Sequence, residues 1–276
     1  MSTATPFRIA LLVNDTPVQP VIDAFGEYPE IYERWLAESK PPGETTFKMT
    51  AFDVVNKPGI YPNPEEYDGI ILTGSAASAY SPLPWIEQLK EYVASVAKDH
   101  PGVKLIGICF GHQIIASALG GTCVPNDGSW EIGVTEVLLT PTGKEVFGVD
   151  TLAIQQFHRD HVPEIPSGFQ LLGSTTVSPI QGMVRFYPAV TEGVTPSSNE
   201  THILTVQGHP EFTTGIVERI VNVREERGIL SEARAAQARE DAQKRHDGTG
   251  LVARAIWGAL LSPAPSVISS NPLLLD

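Results

Sequence analysis

The sequence predicts an α/β fold in which helices cover both faces of a largely parallel sheet. Strand-like apolar runs alternate with helix-like segments between residues 8 and 261. Two of those runs, residues 68–73 and 103–108, are apolar almost without interruption, the pattern of strands buried on both faces. The second run leads straight through a Gly-x-Cys-x-Gly turn into a helix, a connection at home at the edge of a doubly wound sheet.

The elements follow in order. Residues 8–13 form a short β-rich run. Residues 21–38 are read as one helix, with Ile22, Phe25, Ile31, Trp35 and Leu36 as its apolar positions. Residues 48–55 are a second strand, 58–64 a Pro/Asn-rich loop and 68–73 a third strand. Proline opens a helix over 84–98, where Trp85, Ile86, Leu89, Val93 and Val96 recur at helical spacing. The strand at 103–108 precedes a helix over 113–119, which Gly120-Gly121 ends. Shorter strands at 132–139, 152–157, 169–176 and 183–187, separated by Pro/Gly turns, predict an antiparallel extension of the sheet. Residues 202–206 are the last strand, and helices follow at 213–227, 231–245 and 251–261. No internal repeat or linker interrupts the chain. It is therefore read as one domain over 1–276, with a core of about 7–227, a helical extension over 228–262 and a loose tail over 263–276.

Composition narrows the function classes. With 42% hydrophobic and 18% charged residues, the 276-residue chain is ordinary for a globular protein with a full core. No apolar stretch approaches the roughly 20 residues that span a bilayer. Residues 1–6 lack the basic-then-apolar order of a secretory signal. Two cysteines, Cys109 and Cys123, are too few for a disulfide scaffold and fit a reducing compartment, so the expected location is cytoplasmic. Nineteen basic against 32 acidic residues give a net charge of −13, which repels phosphate backbones. Neither a nucleic-acid nor a membrane partner is expected.

The segment Leu105-Ile106-Gly107-Ile108-Cys109-Phe110-Gly111-His112-Gln113 carries the chemistry. Glycines two residues either side of Cys109 let strand and helix close on a strained turn that projects the thiol at the carboxyl end of the sheet. The helix N-terminus and a neighbouring imidazolium would both favour thiolate there. The competing reading is a buried, inert cysteine, and Cys123, with no such turn, is assigned to it. A thiol nucleophile needs a base with a fixed tautomer. His209, in Gln207-Gly208-His209-Pro210-Glu211, follows a strand and precedes a helix, and the Glu211 carboxylate is within reach of its Nδ1. The other reading of Glu211 is a charge near the positive end of the following helix. Acyl transfer also needs N–H donors for an oxyanion. One is assigned to Phe110 and the other to the loop after the third strand, at Gly74 and Ser75, which could otherwise be a plain turn. His158 and His161 are spaced like metal ligands but have no accompanying cluster, so no metal is expected. His112 is assigned a structural role, and His100, His202 and His246 are read as surface positions.

Together Leu72-Thr73-Gly74-Ser75, Gly107-Ile108-Cys109-Phe110-Gly111-His112-Gln113, His158-Arg159-Asp160 and Gly208-His209-Pro210-Glu211 resemble the ordered motifs of class I glutamine amidotransferases. The resemblance covers roughly residues 70–212. It implies a flavodoxin-like sheet and hydrolysis of a γ-glutamyl amide through a thioester on Cys109, without a cofactor. It also implies that Gln113 and the backbone around Glu131, Gly133 and Val134 hold the glutamyl group of a small-molecule substrate. The stretch Ser78-Ala79-Tyr80 to Pro84-Trp85-Ile86 is closer to a stand-alone branch similar to γ-glutamyl peptidases. Two departures stand out. The loop reads Gly-Ser where many members carry Gly-Gly-Pro, and the sequence contains no GxxxxGK[ST] loop. Three readings follow: a self-sufficient γ-glutamyl hydrolase, an ammonia-supplying subunit whose synthetase is a separate chain, and a non-catalytic binding protein of the same fold.

Overall fold

The structure, a computed structural model, describes residues 5–43, 46–187 and 200–264. Most of the tail expected over 263–276 lies outside the described residues. The chain begins with β1 (Phe7–Val13), α1 (Gln19–Phe25), α2 (Tyr28–Ser39), β2 (Phe47–Asp53), β3 (Gly69–Leu72) and α3 (Pro84–Asp99). It continues through β4 (Lys104–Ile108), α4 (Phe110–Ala118), β5 (Val124–Pro125), β6 (Glu131–Leu139), α5 (Pro141–Phe147), β7 (Thr151–His158) and β8 (Asp160–His161). Then come β9 (Gln170–Ser174), β10 (Gly182–Phe186), β11 (Thr201–Val206), α6 (Thr214–Glu226), α7 (Glu232–Ala242) and α8 (Ala253–Leu261).

Nine strands form one sheet in the order β2-β1-β3-β4-β11-β10-β9-β6-β7. The first five are mutually parallel, and from β10 onward the pairing is antiparallel, so the expected parallel sheet with its antiparallel extension is what forms. Alternation of side chains sends Ala10, Leu12, Ile70, Leu72 and Leu105 to a core under α3 and α4. Ile9, Leu11, Ile71, Ile106 and Leu204 go to a second core under α2, α6 and α8. Burial of each such side chain contributes roughly 1.5–3 kcal/mol before the entropy of ordering is subtracted.

Three local features differ from the sequence reading. The helix expected over 21–38 is two helices, because Gly26 adopts φ 84 and a capping box between Glu27 and Glu30 restarts the chain. Helix α5 was not anticipated, although Thr140 caps it with an acceptor for the Gly143 N–H and Gly148 ends it in the left-handed region. His202 is buried, its ring stacked on Tyr187 at 4.8 Å between centroids, and burial pushes its pKa down to about 4.

The C-terminal helices pack against this sheet. Alanines 235, 238 and 242 of the polar helix α7 are buried, and the helix seats on Gly133, where a Cβ would lie 2.5 Å from Asp241 Cβ. A π-helical turn over Gly248–Val252 presses so closely on the 209–211 loop that a Cβ on Gly248 would stand 2.4 Å from the Pro210 carbonyl oxygen. Asp247 holds this turn to β7, accepting the Ala153 N–H at 2.9 Å.

Strand β4 lies between β3 and β11, with Leu72 opposite Gly107 and Ile108 opposite Val206. The carboxyl ends of three adjacent strands therefore open on one rim, and the crossing of α4 there depends on two glycines. A Cβ on Gly107 would meet the Gly111 carbonyl oxygen at 2.7 Å, and one on Gly111 the Leu72 carbonyl oxygen at 2.4 Å. Both neighbours are backbone and cannot swing aside. Gly111→Ala should destabilise the protein by about 1–3 kcal/mol, the usual range for overpacking, lowering the midpoint of thermal unfolding. An unchanged midpoint would show that the β3–α4 approach is not tight.

Candidate active site

Cys109 sits between β4 and α4 with φ 51 and ψ −104, outside the regions a side-chain-bearing residue ordinarily adopts. Of the described residues other than glycine, only Asp127 (φ 45) also has a positive φ. The conformation is held by the Cys109 N–H, which donates to the Val206 carbonyl at 2.9 Å, and by its carbonyl, which accepts the Gln113 N–H at 3.1 Å. The thiol is thus set at the N-terminus of a helix whose first N–H, that of Phe110, has no intrahelical acceptor.

His209 and Glu211 follow β11, the strand next to β4. His209 Nδ1 lies 2.9 Å from Glu211 Oε1, and both side chains are buried. The same oxygen accepts the Tyr32 hydroxyl at 3.1 Å, while Oε2 is buried without a partner among the described residues. The imidazole lies flat against Phe212, with 4.0 Å between centroids and 9° between planes. Gly74 stands at the edge of the ring, since a Cβ there would lie 2.6 Å from His209 Cε1. Burial by itself would lower the pKa of His209. The charges of Cys109 and Glu211, with the hydrogen bonds to both, outweigh it and raise the value to about 10. Both neighbours thus favour the protonated form of the ring. Helix α6 is flanked on its N-terminal side by Thr213, and Glu211 is engaged by His209 and Tyr32 instead of that helix end.

Two amides of the loop after β3 are already used: the Ala76 N–H donates to Asp15 Oδ2 at 2.6 Å, and the Ala77 N–H to Ser75 Oγ at 3.1 Å. The amides of Gly74 and Ser75, nearest to β3, donate to no acceptor among the described residues.

A cavity of about 400 Å³ opens over Cys109 and His209, and Ser75, Ala76, Gln113 and Asp160 also line it. Gln113, expected at the substrate, is nearly enclosed. Its Nε2 donates to the Asp160 carbonyl at 3.0 Å and to Gln207 Oε1 at 3.1 Å. Glu131, Gly133 and Val134 do not reach the cavity. Glu131 is a buried carboxylate 3.0 Å from His158 Nε2, and it also accepts from Thr175 and Gln181. Burial alone would raise its pKa, but the hydrogen bonds and the charge of His158 bring it below the usual carboxylate value. Gly133 is the seat of α7, and Val134 is buried in β6. Their placement on β6 pairs them with β7 and not with the rim.

His158 supports the rim through its Nδ1, 3.0 Å from the Asp160 carbonyl oxygen. Among the described residues no three His, Cys, Asp or Glu side chains come together as a metal ligand set. His112 is buried against Thr205 Oγ1 at 2.8 Å, and burial, with the charge of His158, pushes its pKa down to about 3. Cys123 lies apart in the core, where burial raises its thiol pKa.

Residues without a sequence motif complete the site. Tyr32 is 179 positions from Glu211 on a helix of the opposite end of the chain, and nothing in its neighbourhood marks it. Gln207 stands two residues before His209, inside a motif already singled out, and adjacency to that motif was its only signal. Arg159, Arg224 and Arg227 line the cavity beside Trp130, Phe157, Ile216, Ile220 and Ile229. None of the three arginines is ion-paired to a carboxylate among the described residues.

A thiol at a strained strand–helix turn, with an imidazole and carboxylate from the neighbouring strand, is an arrangement suited to acyl transfer. Residues 43–219 match the family model described as glutamine amidotransferase class-I, and the chain belongs to that family. A glutamine amidotransferase-like protein of Schizosaccharomyces pombe is 35% identical over 246 residues, covering 87% of this chain and 92% of its own. Gamma-glutamyl peptidase 3 of Arabidopsis thaliana is 28% identical, covering 79% and 83%. The crystal structure of a glutamine amidotransferase from Thermotoga maritima superposes with a TM-score of 0.67 over 94% of this chain and 100% of that one, at 18% identity, so the fold is shared.

Glu211→Gln keeps Oε1 for the imidazole and Tyr32 but puts an NH2 where no acceptor waits and removes the charge that stabilises the imidazolium. Turnover should fall yet stay measurable, with a loss about one to two orders of magnitude smaller than that of Cys109→Ala. Steady-state kcat, measured with the melting temperature of the same variant, checks this. Normal turnover with lowered stability would take Glu211 out of the chemistry.

Proposed function

We propose that the protein is a stand-alone cysteine hydrolase that cleaves γ-glutamyl amide bonds, with Cys109 as nucleophile, His209 as acid and base, and Glu211 as the group orienting His209. The observation that carries the reading is Cys109 at a strained strand–helix turn, with His209 on the loop after the neighbouring strand and Glu211 Oε1 2.9 Å from its Nδ1. In acylation Cys109 Sγ attacks the amide carbon, and the carbonyl electron pair moves onto oxygen. The N–H groups of Phe110 and of Gly74 or Ser75 are the donors for that oxyanion. His209 then gives its proton to the departing amine, and a γ-glutamyl thioester remains. Water attacks the thioester with His209, now neutral, taking its proton. The C–S bond breaks, its electron pair returns to sulfur, and the γ-carboxyl product leaves.

The cavity favours a leaving group larger than ammonia. Three unpaired arginines beside apolar walls, in a chain of net charge −13, suit a carboxylate on an apolar or peptide-like substituent. An ammonia-supplying subunit would have no use for such a surface beyond the glutamyl group. The glutathione-type γ-glutamyl peptide therefore fits better than glutamine alone. The reading also treats the chain as one cytoplasmic domain that acts without a synthetase, with its C-terminal helices part of the same body.

A glutamine-analogue electrophile should label Cys109 and leave Cys123 unmodified, and Cys109→Ala and Cys109→Ser should abolish turnover with near-normal melting. Labelling confined to Cys123, read by peptide mass spectrometry, would sink the assignment.

Arg224→Met should raise KM for a carboxylate-bearing γ-glutamyl peptide by about tenfold, the worth of one hydrogen bond to a charged group. KM for glutamine should stay unchanged. Equal losses for both substrates would remove the leaving-group preference while leaving the hydrolase reading in place.

A further inference from the structure

Gln207 is wholly buried between the nucleophile and the floor of the cavity. Its Nε2 lies 3.6 Å from Cys109 Sγ, within hydrogen-bond reach for sulfur. Which end of this amide faces the sulfur is fixed by its neighbours. The Asp160 peptide carbonyl can only accept, so the Gln113 group that meets it must be the NH2. That NH2 also meets Gln207, so the atom it meets is Oε1, and the Gln207 NH2 is turned to Cys109. Asp160 is in turn held by the Ser78 hydroxyl at 2.6 Å and the Tyr80 hydroxyl at 3.2 Å, and the Gln207 N–H donates to the Gln181 carbonyl at 3.0 Å. A chain of oriented donors thus runs from the β3 loop through Asp160 and Gln113 and ends on sulfur.

Resting on Cys109 being the nucleophile, we infer that Gln207 is a further catalytic residue: its side-chain N–H stabilises the Cys109 thiolate, both at rest and as the leaving group of deacylation. A hydrogen bond to an ionised acceptor is about twice as strong as one to a neutral acceptor, so this N–H discriminates thiolate from thioester sulfur. It does not help the attack, in which sulfur loses its charge. It helps the reverse movement of charge, when the C–S bond breaks and the electron pair returns to Sγ while His209 holds the proton taken from water. His209 faces the sulfur from the loop after β11. No side-chain donor other than His209 and Gln207 is within reach of it among the described residues.

Two near-isosteric variants test the assignment. Gln207→Met removes the donor, and Gln207→Glu replaces it with a carboxylate whose charge opposes thiolate. The ionisable groups around the sulfur are the same in both: His209 and Glu211 after β11, Tyr28 and Tyr32 on α2, Cys123 in the core, and Asp15, His158, Arg159, Asp160, Arg224 and Arg227 around the cavity. The rate of Cys109 alkylation by iodoacetamide is followed against pH, and acyl-enzyme is followed by intact mass during turnover of a γ-glutamyl anilide. The alkylation profile should move to higher pH by about one unit in Gln207→Met, and further in Gln207→Glu. Acyl-enzyme should accumulate in Gln207→Met to at least about tenfold its wild-type level. Alkylation profiles that coincide with wild type in whichever variants fold, with activity falling only as melting temperature falls, would make Gln207 a packing residue and overturn the inference. Failure of the underlying reading looks different: the wild-type protein would then form no acyl-enzyme and Cys109 would resist alkylation.

Discussion

The backbone of Cys109 is the constraint on which the site depends. A residue with a side chain at φ 51 and ψ −104 is held there against its own preference, at a cost on the order of 1–3 kcal/mol. Its surroundings leave no alternative. Strand β4 is pinned between β3 and β11, α4 crosses above it, and the crossing is so close that backbone occupies the space of a Cβ at both Gly107 and Gly111. The Cys109 N–H bond to Val206 then ties the turn of Cys109 to the strand that leads into His209. One strained residue thereby fixes the distance relation between sulfur and imidazole.

The electrostatics follow from that placement. An imidazolium in the core would be costly alone, yet His209 has carboxylate on one side and sulfur on the other, Phe212 covers one face of its ring and bare backbone at Gly74 abuts its edge. The protein interior makes each of these charge relations stronger than it would be in water. Tyr32 contributes by occupying the second hydrogen-bonding direction of Glu211 Oε1, so the carboxylate is held toward the ring. A second buried pair, Glu131 with His158, lies beneath the rim and orients the Asp160 carbonyl.

The sequence made the parallel sheet, the turn at Cys109 and the pairing of His209 with Glu211 legible because each is written locally. Continuous apolar runs, glycines at fixed offsets and a proline between base and carboxylate all act within a few residues. What it did not reveal depends on distant contacts. The break at Gly26 looks like one tolerable glycine in an apolar helix until the capping pair Glu27 and Glu30 is seen to close. Gly133 was assigned to substrate by resemblance, whereas its φ of 87 and lack of a side chain serve the approach of α7, a helix 100 residues on. Tyr32 of α2 and Arg224 of α6 belong to the site only because two helices fold over the same rim. No spacing rule connects them.

The close contact between Gly248 and Pro210 bears on how far the folded unit around the site extends. The family match stops at residue 219, which invites treating the remainder as an appendage. Yet the turn at 248–252 is wedged behind the residues joining His209 to Glu211, stitched to β7 through Asp247 and to α2 through the Trp35 indole N–H. The C-terminal segment thus acts as a keystone for the 209–211 loop. A recombinant fragment cut to the family boundary would retain Cys109, His209 and Glu211 and lose the abutment behind the last two.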